Sequence, residues 1–153
     1  MVQIYPNLNN KYIQLEGEKI DNLLKKPRRV LYKISSVFPF DLFPNELVIN
    51  ENQVNVIKRR FFLSEDIETV LIKDIQLVVV ETAPFFASLD IEILKPLSKS
   101  IVIDYLWVDE ALKARRIIQG LRAVEKEGID IANQPVNELL KKLEIIGKVR
   151  YNT

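Results

Sequence analysis

Residues 75–106 read IQLVVVETAPFFASLDIEILKPLSKSIVIDYL, and this stretch decides the fold class. Apolar side chains occupy alternate positions in its middle part, at Phe85, Ala87, Leu89, Ile91 and Ile93. Because side chains two residues apart point to the same face of a strand, the alternation predicts a β-strand with one buried face. The segments 75–81 and 100–106 are rich in valine and isoleucine and are bounded by turn-forming residues, so a strand is expected in each.

Residues 46–72 continue the same organisation towards the N-terminus. Short apolar segments at 47–49, 54–62 and 67–72 are separated by Asn50-Glu51-Asn52 and Ser64-Glu65-Asp66, which are typical turn sequences. Six short strands with short connections predict an antiparallel meander. Tyr105 and Trp107, at the junction with the segment that follows, are expected to be core residues rather than a ligand platform.

Two helices are predicted after the strands. The first spans 109–127 and has an apolar stripe, formed by Ala111, Ala114, Ile117, Ile118, Leu121 and Val124. Gly128 is placed to end this helix. The second spans 135–147, with Pro135 in its first turn and Gly147 placed to cap its end.

The region before residue 38 has two interpretations. Ile20, Leu23 and Leu24 recur on one helical face, and apolar residues continue this period after Pro27. This pattern predicts a helical segment over 17–36, in which Pro27 either kinks the helix or begins a second one. Residues 29–35 also alternate between apolar and polar side chains, so a strand there is the alternative.

Three segments resemble prokaryotic pleckstrin-homology-like (PH-like) domain proteins of unknown function: Phe40-Asp41-Leu42-Phe43-Pro44, Phe85-Phe86-Ala87-Ser88-Leu89 and Ala114-Arg115-Arg116-Ile117-Ile118-Gln119-Gly120-Leu121. The resemblance covers residues 38–130 and concerns the overall pattern. It implies an α+β, mainly β fold, in which six to seven antiparallel strands form a barrel or sandwich that helix 109–127 caps. Residues 1–37 are then an N-terminal helical segment, and residues 131–153 a C-terminal helical extension of the same domain. PH-like domains bind lipids, peptides or proteins, so the resemblance implies binding without fixing the ligand.

The composition argues against catalysis. The 153-residue chain has no cysteine and no histidine, which removes thiol chemistry and the usual general base near neutral pH. Its four glycines are scattered and form no phosphate-binding loop. We therefore expect a non-enzymatic protein with no catalytic residues, no cofactor and no metal site. It has no signal-peptide pattern and no apolar segment long enough to cross a bilayer, which predicts a cytoplasmic protein.

Charge is distributed unevenly along the chain, although the net charge is only +1. Residues 1–36 carry a net charge of +4, residues 37–106 of −5, and residues 107–153 of +2. Nucleic-acid binding requires a concentrated positive surface on the folded body. This distribution lacks one, so no nucleic-acid partner is expected.

The first candidate site is a contact with an anionic membrane surface. It is formed by basic and aromatic side chains: Lys25, Lys26, Arg28, Arg29, Lys33, Phe38, Phe40 and Phe43. Basic residues beside exposed aromatic residues are typical of segments that lie at a membrane interface. The alternative, which we favour, is that the apolar face of this segment packs on the strands while its basic side chains point to solvent.

The second candidate site is an anion contact at Lys58, Arg59 and Arg60. PH domains that bind phosphoinositides carry basic residues around their first hairpin, and this triplet has a similar place. Acidic residues follow it at positions 65, 66 and 68. They favour a different interpretation, in which the charges lie on a strand edge and oppose aggregation.

The third candidate site is the apolar stripe of the last helix, formed by Val136, Leu139, Leu140, Leu143 and Ile146. A helix of about 13 residues is marginal by itself in water, so the stripe must dock on some surface. Its own domain and a second copy of the chain are both compatible with this requirement.

The sequence thus predicts a binding or assembly module, with protein interaction or homo-oligomerisation ahead of peripheral association with an anionic membrane.

Overall fold

The structure is a computed structural model that describes residues 6–25, 29–94 and 99–150. These residues form an α+β fold with two antiparallel sheets and three helices. In chain order the elements are α1 (Pro6–Lys25), β1 (Val30–Ser35), β2 (Glu46–Asn50), β3 (Gln53–Arg59), β4 (Glu65–Leu71), β5 (Ile75–Thr82), β6 (Phe86–Ile93), β7 (Lys99–Trp107), α2 (Val108–Lys126) and α3 (Val136–Arg150).

The strands follow one another through both sheets, as the meander pattern predicts. The first sheet has the order β1-β2-β3-β4 and the second the order β5-β6-β7. Leu47 lies opposite Val56 in the first sheet, and Val80 lies opposite Leu89 in the second. Strand pairing among the described residues stays within each sheet, so the strands form two sheets and not a closed barrel. One backbone hydrogen bond, from Val37 N to Tyr105 O (2.9 Å), connects the end of β1 to β7.

The core lies between the two sheets and helix α2. Alternation along the strands directs one set of apolar side chains inwards, and these are fully buried: Leu47, Ile49, Leu89, Ile91, Ile101, Ile103 and Leu106. The apolar stripe of α2 faces them, and Ala111, Ala114, Ile117, Ile118 and Leu121 are buried there. The small alanines let the backbone of α2 approach the sheets closely.

The N-terminal region follows the alternative interpretation from residue 30 onwards. Helix α1 ends at Lys25, and residues 30–35 form β1, which pairs with β2. The predicted helix is thus present over residues 17–25, its continuation over 30–35 as a kinked or second helix is wrong, and the alternative strand is correct. A strand at this position completes the four-stranded sheet by pairing with β2, and it buries Leu31 and Ile34. A helix over the same residues could not pair with β2. Pro27 lies outside the described residues.

Helix α3 packs on α2, and glycines make the contact close. An added Cβ at Gly120 would overlap the backbone carbonyl of Leu143, and one at Gly147 would overlap that of Arg116. Gly147 is thus an interior residue of α3 at a helix contact, and the prediction that it caps the helix is wrong. Gly128 follows the end of α2 with a φ of 66°, and its N–H donates to Glu125 O (3.1 Å).

Candidate functional site: an aromatic surface at one end of the sheets

Three connections meet at one end of the two sheets. The β1–β2 loop (residues 36–45) and the β3–β4 loop (residues 60–64) lie together because β2 pairs antiparallel with both β1 and β3. The β5–β6 turn (residues 83–85) joins them, since Phe86 begins β6 beside the end of β7 and its ring lies 4.7 Å from that of Phe40. The β2–β3 turn, residues 51 and 52, lies at the opposite end.

Apolar side chains cover this end, and all of them except the partly buried Phe86 are exposed to solvent. We call them the aromatic surface, which comprises Phe38, Phe40, Leu42, Phe43, Phe61, Phe62, Leu63, Phe85, Phe86, Tyr105 and Trp107. The two most exposed are Phe62, at 87%, and Leu63, at 102%. Large apolar side chains this exposed mark interaction sites when they are contiguous.

Ring contacts join most of the aromatic residues into two groups. Phe86 lies 5.4 Å from Trp107 and 6.2 Å from Tyr105, measured between ring centroids, in addition to its contact with Phe40. A second group forms where Phe43 lies 5.8 Å from Phe61, which in turn lies 4.2 Å from Phe62. The β1–β2 loop carries both Phe40 and Phe43 and so joins the two groups.

A polar network holds the β1–β2 loop in place. Asp41 accepts hydrogen bonds through Oδ2 from the Ser36 hydroxyl (2.7 Å) and the Asn45 amide (3.0 Å), and through Oδ1 from the Phe43 backbone N–H (3.2 Å). Asn45 Oδ1 accepts from the backbone N–H of Arg59 (3.1 Å), which fastens this loop to the β3–β4 hairpin. Phe40 and Phe43 are therefore presented on a loop that is ordered before any ligand arrives.

The β3–β4 loop presents its apolar residues in an unusual conformation. Phe62 and Leu63 have φ angles of 64° and 58°, in the left-handed region that bulky residues rarely adopt. The loop is closed by hydrogen bonds from Arg60 N to Ser64 O (2.9 Å) and from Ser64 Oγ to Phe61 O (3.1 Å). Asparagine or glycine would fold into this conformation at lower cost.

A β-bulge determines that Tyr105 and Trp107 belong to this surface. Ala87 pairs with Leu106 and Leu89 pairs with Ile103, so two residues of β7 oppose one residue of β6. Tyr105 is one of the two and has a left-handed φ of 57°. The extra residue reverses the alternation along β7, and Tyr105 (45%) and Trp107 (49%) are half exposed. The prediction that these two residues are core is wrong for this reason.

The predicted anion contact is engaged in ion pairs. Lys58 lies 3.5 Å from Glu68, Arg59 lies 2.9 Å from Glu46 and 3.3 Å from Glu65, and Arg60 contacts Asp66 at 2.5 Å. Each of the three cations thus has a carboxylate partner, which reduces its attraction for an external anion. With Lys33 and Lys99, which pair with Glu46 and Glu68, these charges form a nearly neutral rim beside the β3–β4 loop, in agreement with the strand-edge interpretation.

The ion pairs shift the ionisation of the carboxylates at this rim. Hydrogen bonding to Lys33 and then to Arg59 lowers the pKa of Glu46. Hydrogen bonding to Lys99 is the main reason that the pKa of Glu68 is also lowered, and Lys58 adds to it. The same pairing raises the pKa of Arg59, first through Glu46 and then through Glu65. Glu46 and Glu68 therefore stay ionised near neutral pH.

The described residues of the predicted membrane contact lie in two places, since Arg29 is apart from the phenylalanines whereas Lys33 lines a surface cavity together with Trp107 of the aromatic surface. Arg29 points away from the aromatic surface: it pairs with Glu51 and donates to Gln134 O (2.6 Å) and Ile131 O (3.1 Å). Lys33 pairs with Glu46 at 2.8 Å. Lys26 and Arg28, together with the side chain of Lys25, lie outside the described part of the chain. The aromatic residues of the predicted membrane contact are exposed at the aromatic surface, with exposed fractions of 66% for Phe38, 58% for Phe40 and 38% for Phe43.

The predicted partner helix packs within its own chain. Leu139 and Leu143 are buried against α2, and the other members of the stripe, Val136, Leu140 and Ile146, pack against the same core. The alternative in which the helix docks on its own domain is therefore the observed one. The stripe is not available to a partner.

Phe61, Phe62 and Leu63 were not singled out by the sequence. Phe61 and Phe62 continue an apolar run that begins in β3, so the pattern assigns them to the strand. A detectable signal is the density of aromatic residues just before a turn sequence, since Phe61-Phe62-Leu63 precedes Ser64-Glu65-Asp66. A hairpin that buried its apolar residues would not place three of them in succession.

Neither a metal centre nor a membrane-spanning helix is found in the described residues. No group of three or more acidic side chains is arranged there to hold a metal ion. No helix in the same residues is long and apolar enough to cross a bilayer. A comparison with known proteins finds no family that matches the chain and no characterised protein that matches it.

Proposed function

We propose that this chain is a non-enzymatic binding or assembly module of PH-like architecture, and that it acts through protein interaction at the aromatic surface. The strand order supports the architecture, because four antiparallel strands are followed by three more and then by a helix whose apolar face is buried. This is the plan that the resemblance of residues 38–130 implies. Helices α1 and α3 are additions to that plan.

The observation that carries the proposed function is the conformation of Phe62 and Leu63. A left-handed conformation costs an L-residue about 1–2 kcal/mol, and exposing a large apolar side chain adds nothing to folding. The chain nevertheless places two such residues, with φ angles of 64° and 58°, at the tip of one loop. Strained backbone of this kind is concentrated at functional sites, and burial of the two side chains in a complex would give them a role.

The size of the aromatic surface supports a protein partner over a small ligand. An aromatic side chain has about 150–250 Å² to bury, so the exposed fractions of these residues together offer on the order of 1,000 Å². The largest apolar patch of a typical monomer covers about 300–600 Å², and a standard protein interface covers about 800 Å² on each partner. Phenylalanine, tyrosine and tryptophan are also the residues enriched in the centres of such interfaces.

Site-specific photo-crosslinking in the cells that encode the chain tests this proposal. Phe62 is replaced by p-benzoylphenylalanine, which keeps the aromatic ring at the loop tip. The control carries the same amino acid at Leu77 on β5, which is 44% exposed but is not part of the aromatic surface. Protein adducts at position 62 and not at position 77 would support the proposal. Equal adducts at both positions, or none at position 62, would reject it.

The second candidate function is peripheral association with an anionic membrane through the N-terminal segment. The observation in its favour is the exposure of Tyr12, Ile13 and Ile20 on α1, which leads towards the basic residues 25–28. Flotation with anionic and neutral vesicles at low and moderate salt tests it. Salt-sensitive flotation that an Ile13→Asp, Ile20→Asp double variant abolishes would support this function, and absence of flotation under all conditions would exclude it.

A further inference from the structure

We infer that the partner of the aromatic surface is the aromatic surface of a second copy of this chain, so that two copies form a twofold-symmetric dimer. The inference rests on the proposed function and specifies its partner. It is independent of the last helix, whose apolar stripe is used within the chain.

The extent and chemistry of the aromatic surface favour a second copy. Its exposed apolar area, on the order of 1,000 Å², exceeds the largest apolar patch of a typical monomer and matches one side of a standard interface. Interfaces between identical subunits are also more apolar than those of transient complexes. A second copy is the one protein partner that is present whenever the chain is made, so it can cover the surface permanently.

The charge of the aromatic surface and its surroundings also permits contact between two identical copies. In a twofold contact each patch meets an identical patch, so a patch with a net charge would repel itself. The charged rim of the β3–β4 hairpin is close to neutral, because its ion pairs join five cations, Lys33, Lys58, Arg59, Arg60 and Lys99, to four anions, Glu46, Glu65, Asp66 and Glu68. Arg60 and Asp66 are exposed (69% and 49%). In a dimer, Arg60 of each copy can pair with Asp66 of the other copy, and the number of paired charges stays the same.

The rim also distinguishes a second copy from an anionic lipid surface. A protein that binds anionic membranes needs cations free to meet the head groups. The cations beside Phe62 and Leu63 are neutralised by carboxylates at 2.5–3.5 Å.

The test is the solution mass of the purified full chain, measured by light scattering and sedimentation equilibrium over a wide concentration range. We expect a mass of twice the 17.8 kDa chain that does not increase further with concentration. Phe62→Asp and Phe85→Asp, on two different loops, are each expected to weaken the dimer at least tenfold, because a carboxylate would be buried against an apolar partner. Both side chains are exposed (87% and 75%), so the fold should be retained, and thermal unfolding checks this.

Ile129→Asp is the matched control. Ile129 is 53% exposed and follows α2 near the β2–β3 turn, at the end of the first sheet opposite the aromatic surface. This variant should dimerise as the unmodified chain does. Mixing Phe62→Asp with the unmodified chain should yield few mixed dimers, because a twofold contact needs the surface of both partners.

The outcomes separate the inference from the proposed function. If the chain is monomeric at all concentrations, the inference of a dimer is wrong. Protein adducts at position 62 then decide whether the proposed function is correct. A dimer that Phe62→Asp and Phe85→Asp leave intact overturns the inference as well. Flotation of a monomeric chain with neutral vesicles, abolished by Phe62→Asp, would replace both with insertion into a lipid surface.

Discussion

Gly120 of α2 packs directly against the backbone of Leu143 of α3, with no room between them for a Cβ atom. Since the contact is with backbone atoms, a methyl group at position 120 cannot be accommodated by a change of rotamer. Gly120→Ala should force α3 away from α2 and cost about 2 kcal/mol or more, although alanine is the better helix former. For a chain of this length that is a decrease of about 4–8 °C in Tm.

Gly17→Ala is the control for this substitution. Gly17 lies within α1, and an added Cβ there meets no atom within 4 Å. Its Tm should be unchanged or slightly raised, because alanine favours a helix and nothing needs to move. Equal Tm values for Gly120→Ala and the unmodified chain would show that the two helices separate without cost.

Arg29 connects the start of β1 to the segment that precedes α3. Its guanidinium pairs with Glu51 and donates to the carbonyls of Gln134 (2.6 Å) and Ile131 (3.1 Å). Hydrogen bonds from charged groups contribute about 1.5–3 kcal/mol each when they are not fully exposed. We expect Arg29→Ala to reduce the free energy of unfolding by about 2 kcal/mol and Arg29→Lys to recover little of it, because lysine lacks the planar fork.

Arg60→Ala provides the comparison in chemical denaturation. Arg60 forms its ion pair with Asp66 at the surface, where its side chain is 69% exposed. Exposed pairs of this kind contribute about 0–1 kcal/mol, so this variant should unfold near the unmodified chain. If the two alanine variants lost the same stability, Arg29 would be an ordinary surface cation and free for a membrane contact.

The sequence predicted the strands well because their pattern is local. Alternation in 85–93 and the turn sequence at 50–52 are sufficient to locate β6 and the β2–β3 hairpin, whereas the turn predicted at 64–66 lies a few residues too late, because β4 begins at Glu65 and the loop occupies residues 60–64. Residues 30–35 satisfied two periodicities at once, and pairing with β2 decides between them. Strand pairing depends on residues distant in the sequence, so the local sequence around Leu31 and Ile34 does not predict it.

The aromatic surface escaped prediction for a related reason. Tyr105 and Trp107 continue the inward alternation of Ile101 and Ile103, so the sequence places all four in the core. The bulge opposite Ser88 adds one residue and turns the last two outwards. Its position depends on how β6 and β7 close, which the local sequence of β7 does not determine.

Acid should weaken the fold through Glu46. Lys33 and Arg59 lower the pKa of this carboxyl in the folded state, so the folded state binds its proton less readily than the unfolded chain. The stability from Glu46 is therefore present at neutral pH and is lost as the pH falls below about 4, through the unfolded and then the folded pKa. We expect the Tm of Glu46→Gln to be lower at pH 7 and to depend less on pH between about 5 and 3.

Glu92→Gln is the control for the acid prediction, with Tm measured by circular dichroism at each pH. Glu92 lies on β6 and takes part in none of the ion pairs within the described residues. Its substitution should leave the acid dependence that comes from Glu46 in place. A Glu46→Gln variant with the full acid dependence of the unmodified chain would show that its pairs with Lys33 and Arg59 contribute nothing to folding.

Leu63 should be replaceable by a residue that folds better and binds worse. Its φ of 58° suits asparagine, which adopts the left-handed conformation readily, and its side chain is fully exposed. Leu63→Ala removes the same apolar contact but keeps the strain, so the difference between the two variants isolates the backbone. We expect Leu63→Asn to be more stable than Leu63→Ala by about 1 kcal/mol, or about 2–4 °C in Tm.

The same two variants also indicate why leucine is kept at position 63. Both should weaken the self-association of the chain in sedimentation equilibrium, because both remove an apolar side chain at the tip of the aromatic surface. Greater monomer stability together with weaker association would mean that the β3–β4 loop is suited to binding at the expense of folding. If Leu63→Asn were less stable than Leu63→Ala, the left-handed conformation would carry no strain, and the argument from Phe62 and Leu63 to a binding role would fail.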